Sequence, residues 1–212
     1  MLHRTSDPWH NRSVITFAGS PESVEDSAFS AVRTAAELID LRHHRGVHPR
    51  MGAADVVPFV PLSGATMDDC VRIARRVGQR VGAELAIPVY LYERSATRPD
   101  RQNLADVRRG GYEAIAAQMT TNAERIPDFG PSRIHPSAGA IAIGARPFLV
   151  AFNIYLGSAS QLPSVREIAK AIRASSGGIP GVKALALDVG EEAQLSMNLV
   201  DIDIVTVPQV FD

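Results

Sequence analysis

Apolar residues recur along the chain at two different spacings, and the spacing changes where the elements change. RSVITFAG (12–19) is rich in β-branched and aromatic residues and closes on glycine, which predicts a strand. Val24, Ala28, Ala31, Ala35 and Leu38 then fall three or four apart, predicting a helix that ends near Asp40. Ser20, Pro21 and Glu22 supply its N-cap, a proline at the first position and an early acid. Val71, Ala74, Val77, Val81 and Leu85 predict a second helix from about Thr66, with Asp68 and Asp69 at its positive end. Strands are expected at 55–62, 87–92, 140–145, 147–157, 182–189 and 194–200, and helices at 104–119 and 163–175. Gly110 and Gly111 interrupt the first of these two helices and are expected to bend or split it.

Strands and helices alternate, but some strands follow one another directly, as in ferredoxin-like βαββαβ units. The expected class is therefore α/β (α+β), with two ferredoxin-like subdomains and mixed sheets. A boundary near Arg146 and Pro147 gives subdomains of 1–146 and 147–212. Both ends read as cut. The first subdomain starts at a strand with no strand and helix before it, and the second stops at 208–212, where a closing helix and strand would begin.

One stretch breaks the periodic pattern. HHRGVHPRMGAADVVPFVPL (43–62) gathers His43, His44, His48, Arg45, Arg50 and Asp55 ahead of an apolar run. Pro49, Pro58 and Pro61 exclude a continuous helix, because each lacks an N–H and fixes its own φ. A loop this dense in titratable groups is a natural place for chemistry. Histidine exchanges protons near neutral pH, arginines hold carboxylates, and Asp55 can orient either. His44 and His48 are four apart, as two metal ligands on a helix would be. Gly46 and Pro49 argue against that helix, and no further ligand completes a set, so no metal site is expected. Spacing alone does not choose among the three histidines.

A second irregular cluster is PDFGPSRIHPSAG (127–139). Its prolines and glycines leave backbone donors for a ligand, Ser132, Arg133, His135 and Ser137 add polar groups, and Phe129 is placed to face a flat ring. The plainer reading of the cluster is a connector. No dinucleotide, phosphate-loop or serine-hydrolase motif occurs. Arg72, Arg75, Arg76 and Arg80 line the polar side of a helix and read as a solvated face. The strand at 147–157 crowds Asn153 among apolar neighbours.

Composition narrows the partners. The formal net charge of -1, from 22 basic and 23 acidic residues, creates no field toward nucleic acid or an anionic membrane. The most apolar run, 147–156, is too short to span a bilayer, and residues 1–12 have no signal-peptide core. Cys70 is the one cysteine, so no internal disulfide forms, which fits a reducing cytoplasm. Its helical spacing with Ile73, Ala74 and Val77 reads as a core thiol rather than a nucleophile.

These segments carry a resemblance. H-x-G-x-H-P-R-M-G-A-x-D-V-x-P-F-x-P (44–61) resembles the signature of the glutamate formimidoyltransferase (formiminotransferase) family. The likeness continues through IPVYLYE, LADVRRGGYEAI, PDFGPS, HPSAGAIAIGARPFLVAFNIYL and SMNLVD. It implies transfer of the formimidoyl group of N-formimidoyl-L-glutamate to N5 of tetrahydrofolate, a step of histidine degradation in one-carbon metabolism. It implies His48 as general base, with no metal. The family's folate-contacting segment falls on Gly130, Pro131, Ser132, Arg133, Ile134, His135, Pro136, Ser137, Ala138 and Gly139, with a further contact at Gly181. His43 and His44 receive no role. Glutamate formyl transfer would use the same residues, and a truncated, inactive folate-binding or assembly module is the reading from another class. Open sheet edges at the cut ends would invite pairing with a second copy as a homodimer.

Overall fold

The spacing of apolar positions folds into two α/β units in the computed structural model, which describes residues 1–211. The first unit comprises Met1–Ser6, Ser13–Arg45 and Pro49–Arg146. The second comprises Asp7–Arg12, Gly46–His48 and the chain from Pro147 onward.

The chain opens with a two-stranded hairpin, β1 (His3–Asp7) and β2 (Arg12–Thr16), where the sequence pattern showed only the second strand. β1 has no apolar alternation to announce it, since its residues are HRTSD. Helix α1 (Pro21–Leu38) starts at the N-cap of Ser20, whose hydroxyl accepts from the Ser23 amide. Strand β3 (Val56–Phe59) precedes helix α2 (Met67–Glu84). Thr66 and Asp69 cap α2 reciprocally, each side chain accepting from the other's backbone amide. Cys70, Ile73, Ala74, Val77 and Val81 form its buried stripe, so Cys70 is a core thiol, and burial raises its pKa. The opposite side carries arginines that are solvated but paired: Arg76 with Glu25, Arg80 with Asp26 and Glu84. Strand β4 (Val89–Glu93) follows, and the next helix splits as its glycines predict, into α3 (Leu104–Val107) and α4 (Gly111–Gln118). Strand β5 (Ile141–Ala145) completes the unit.

β5 lies between β3 and β4 and is parallel to both, with Ile143 opposite Val57 and Leu91. The mixed sheet expected for this part of the chain is therefore replaced by a parallel one. The physical reason is the length of chain between β4 and β5, which is ample for a return crossover to the same end of the sheet. Both faces of β5 are buried. Ile141, Ile143 and Ala145 join the core under α1 and α2, while Ala140 and Ala142 join Met51, Tyr90, Tyr92, Ile115 and Met119 on the other face.

In the second unit, β6 (Val150–Ser158) leads through helix α5 (Leu162–Ile172) to the hairpin β7 (Val182–Asp188) and β8 (Glu192–Leu199), followed by α6 (Val207–Phe211). β8 inserts between β6 and β7, antiparallel to each, so this sheet is not mixed either. The arrangement is the split βαβ that forms the first part of a ferredoxin-like unit. Phe152, Ile154, Ala184, Leu195, Met197 and Leu199 face the core with Val165 and Ala169 of α5. Asn153 is exposed, opposite Ser196. It is not crowded by its apolar neighbours, because alternation sends them to the other face.

Candidate functional site

Segment 49–55 is fixed by a polar network within the first unit. The Asp55 carboxylate accepts from the Met51 amide at 2.8 Å and from the Arg108 guanidinium at 2.6 Å. Arg108 also donates to the Pro49 carbonyl. Asp55 therefore positions an arginine, one of the two roles open to it in the sequence. Arg50 holds a carboxylate of this same chain: its Nη2 lies 2.9 Å from Glu113 Oε1 and keeps that carboxyl below its ordinary pKa range. Arg45 donates to the His44 carbonyl at 2.8 Å.

The two irregular clusters of the sequence meet here. The amide of Ala53 donates to the Ala138 carbonyl and that of Ala140 to the Met51 carbonyl, each at 2.9 Å, with Gly52 and Gly139 bridged antiparallel. A Cβ on Gly52 would stand 1.9 Å from the Ala140 oxygen, and one on Gly139 would stand 2.4 Å from the Met51 oxygen. Both positions need glycine, and Gly139 also has a φ of +74°.

Segment 127–139 divides into two parts. Its first part is structural. Asp128 ion-pairs with Arg101, accepts from the Thr97 hydroxyl and takes the Leu91 amide at 2.8 Å. The side chains of the ion pair are 4% and 7% exposed, so this is a buried charge pair on the edge of β4. Phe129 packs into the core beside Gly78 of α2 and does not face a flat ring. The second part is a tight turn in which the His135 amide donates to the Gly139 carbonyl and the Gly139 amide to the His135 carbonyl. His135 Nδ1 accepts from the Ala138 amide at 2.9 Å, so that nitrogen carries a lone pair and the ring is neutral. Burial of the ring lowers its pKa. Gly130, Ser132, Arg133 and Pro136 are exposed along this segment, while Pro131, Ile134 and Ser137 are half-buried and Ala138 and Gly139 buried.

His48 belongs to the second unit, with the 7–12 turn of the opening hairpin. Arg12 Nη1 lies 2.9 Å from both ring nitrogens of His48. The His10 and His48 rings are 5.4 Å apart, tilted by 50°. The Val47 amide donates to the Trp9 carbonyl at 3.1 Å, and the Asp7 carboxylate accepts from the His10 amide at 2.8 Å. Trp9 packs against Gly190. Trp9, His10 and Arg12 carry no signal in the sequence pattern: a polar stretch at the head of a chain looks like an unstructured lead-in. His44 and His48 lie on irregular backbone and share no helix face. Gly181, also in the second unit, turns the chain into β7 with φ +80°, and its carbonyl accepts from the Val200 amide at 2.8 Å.

A family model described as the formiminotransferase domain, N-terminal subdomain, matches residues 1–146. The chain is 44% identical to a glutamate formimidoyltransferase of Streptococcus pyogenes serotype M1, over 100% of this chain and 71% of that one. It is 50% identical to the glutamate formimidoyltransferase of Thermoplasma acidophilum, over 91% of this chain and 64% of that one. It is 45% identical to the formimidoyltransferase-cyclodeaminase of Rattus norvegicus, over 100% of this chain and 40% of that one. The chain thus spans between two fifths and about seven tenths of the length of these relatives.

Proposed function

Because the chain belongs to the formiminotransferase family, we propose that it is a glutamate formimidoyltransferase, moving the formimidoyl group of N-formimidoyl-L-glutamate to N5 of tetrahydrofolate in histidine degradation. The observation that carries the reading is the 44% identity, over the whole of this chain, to an enzyme of that name. Tetrahydrofolate is the co-substrate and the cytoplasm the place of action.

In this reading His48 is the general base. The lone pair of folate N5 attacks the formimidoyl carbon, and the amine sheds a proton that the imidazole takes up. The bond from that carbon to the glutamate nitrogen then breaks, and the imidazolium returns the proton to the departing nitrogen. A neutral imidazole is the form this begins with, and it is the form that accepts a hydrogen bond from Arg12. The turn 130–139 offers the folate an exposed guanidinium at Arg133 and exposed backbone beside Gly130 and Ser132. Gly181 is assigned as a second folate contact. The first subdomain of the family corresponds to 1–146 and the second to 147–212.

The test is formation of 5-formimidoyltetrahydrofolate by the full chain and by His48→Ala. The variant is expected to keep its circular dichroism and lose about 10²–10⁴ of kcat, the usual share of a general base. Full activity in His48→Ala would remove His48 from the chemistry. Offering the formyl donor in the same assay separates formimidoyl transfer from glutamate formyl transfer.

A further inference from the structure

Arg12 is fixed before it reaches His48. It is the first residue of β2, whose pairing with β1 is reinforced by the Ser6 and Ser13 hydroxyls at 2.8 Å. The turn between the strands is closed by Asp7 on the His10 amide. Segment 46–48 is tied to that turn by the Val47 amide on the Trp9 carbonyl, and Gly46 lies so close that a Cβ there would stand 2.4 Å from the His10 oxygen. The guanidinium and the imidazole are thus delivered to each other by two backbones already in contact.

The chemistry of the contact is one-sided. Arginine donates and never accepts, and it stays charged at any physiological pH. An imidazolium has no lone pair to offer it and would add a second positive charge at 2.9 Å. We propose that Arg12 is a positioning residue for His48, holding its imidazole in the neutral, proton-accepting form until substrate arrives. The proposal deepens the reading of His48 as general base and rests on it for its catalytic meaning. The same guanidinium also serves the second half of the reaction, because a proton on His48 beside a fixed cation is readily given up to the departing glutamate nitrogen. Among the described residues, the Arg12 guanidinium and the His10 ring lie beside the His48 ring, and Asp7 is engaged on the His10 amide.

The experiment labels the histidine rings of the full chain with ¹⁵N and follows His48 through a pH titration in wild type, Arg12→Gln and Arg12→Lys. In Arg12→Gln the midpoint of His48 protonation is expected to rise by at least half a pH unit. Arg12→Lys keeps the charge and loses the planar fork, so it falls between the two. His135, held by its own turn, stays where it was in all three and serves as the internal reference. In the transfer assay Arg12→Gln is expected to lose roughly tenfold in kcat at neutral pH with KM for tetrahydrofolate unchanged, the split that marks a transition-state rather than a binding role. An unmoved His48 midpoint in either folded variant overturns the proposal. A midpoint that moves in Arg12→Gln while the wild-type chain transfers nothing leaves the pairing standing and sinks the general-base reading instead.

Discussion

β5 of the first unit and β6 of the second are strands of the same chain, yet they are buried by different rules. Ile141, Ala142 and Ile143 are all 1% exposed or less, because β5 is the central strand of a parallel sheet with a core on each face. Along β6, Phe152, Ile154 and Leu156 turn inward while Ala151, Asn153 and Tyr155 are exposed. The edges differ as well. The outer edge of β4 is covered by segment 128–129, with the Val89 amide on the Phe129 carbonyl at 2.9 Å and the Asp128 amide on the Val89 carbonyl at 2.8 Å. Among the described residues β6 pairs with β8 alone. A parallel sheet needs cover on both faces, whereas an antiparallel one tolerates a polar face, and the two sheets follow that difference.

Asp128 holds the covered edge. Asp128→Ala leaves the Arg101 guanidinium buried without its partner and is expected to cost about 3–5 kcal/mol of stability. Urea unfolding measures it, and a loss below about 1 kcal/mol would mean that the edge is held by the backbone alone. Ile143→Ala removes a fully buried side chain and is expected to cost about 2–5 kcal/mol. Asn153→Ala, on the exposed face of the second sheet, is expected to stay within about 0.5 kcal/mol. Equal costs at the two positions would show that the outer face of the second sheet is a core like the first.

The smallest effect concerns pH. His135 is held neutral, with its pKa lowered by burial, so between the folded and unfolded values the unfolded chain binds more protons. The stability it contributes is full above the unfolded value of 6.5 and declines as pH falls toward the lowered folded value. His135→Gln should lower the melting temperature most at pH 8, where the Ala138 amide loses its acceptor, and flatten the decline of melting temperature below pH 6.5. A profile of the same slope in the variant would place the titrating group elsewhere.

What was legible in the sequence was local. Thr66 with Asp69 announces the start of α2, and Gly110 with Gly111 announces the break between α3 and α4, because caps and breaks act through neighbouring residues. The insertion of β5 between β3 and β4 was not legible, since strand order is decided by which faces must be covered and not by the strand's own residues. Phe129 looked available for a ligand because an aromatic residue between prolines shows no period; its partner is a helix some fifty residues earlier. Among the loop histidines, spacing leaves the choice open, and His48 is proposed on the family resemblance alone. Arg12 had no pattern to betray it, as a single arginine at a strand's first position is unremarkable until the fold shows what it touches.

The crossing of Gly52 and Gly139 sets a limit on variation. Each added methyl would meet a backbone oxygen of the opposite segment, and no side chain on either side can be trimmed to make room. In a saturation library of functional variants the two positions should therefore behave as one locus, each column reading glycine alone. No second substitution at the other position should rescue the first. Two stretches almost ninety residues apart are tied to a single shared letter.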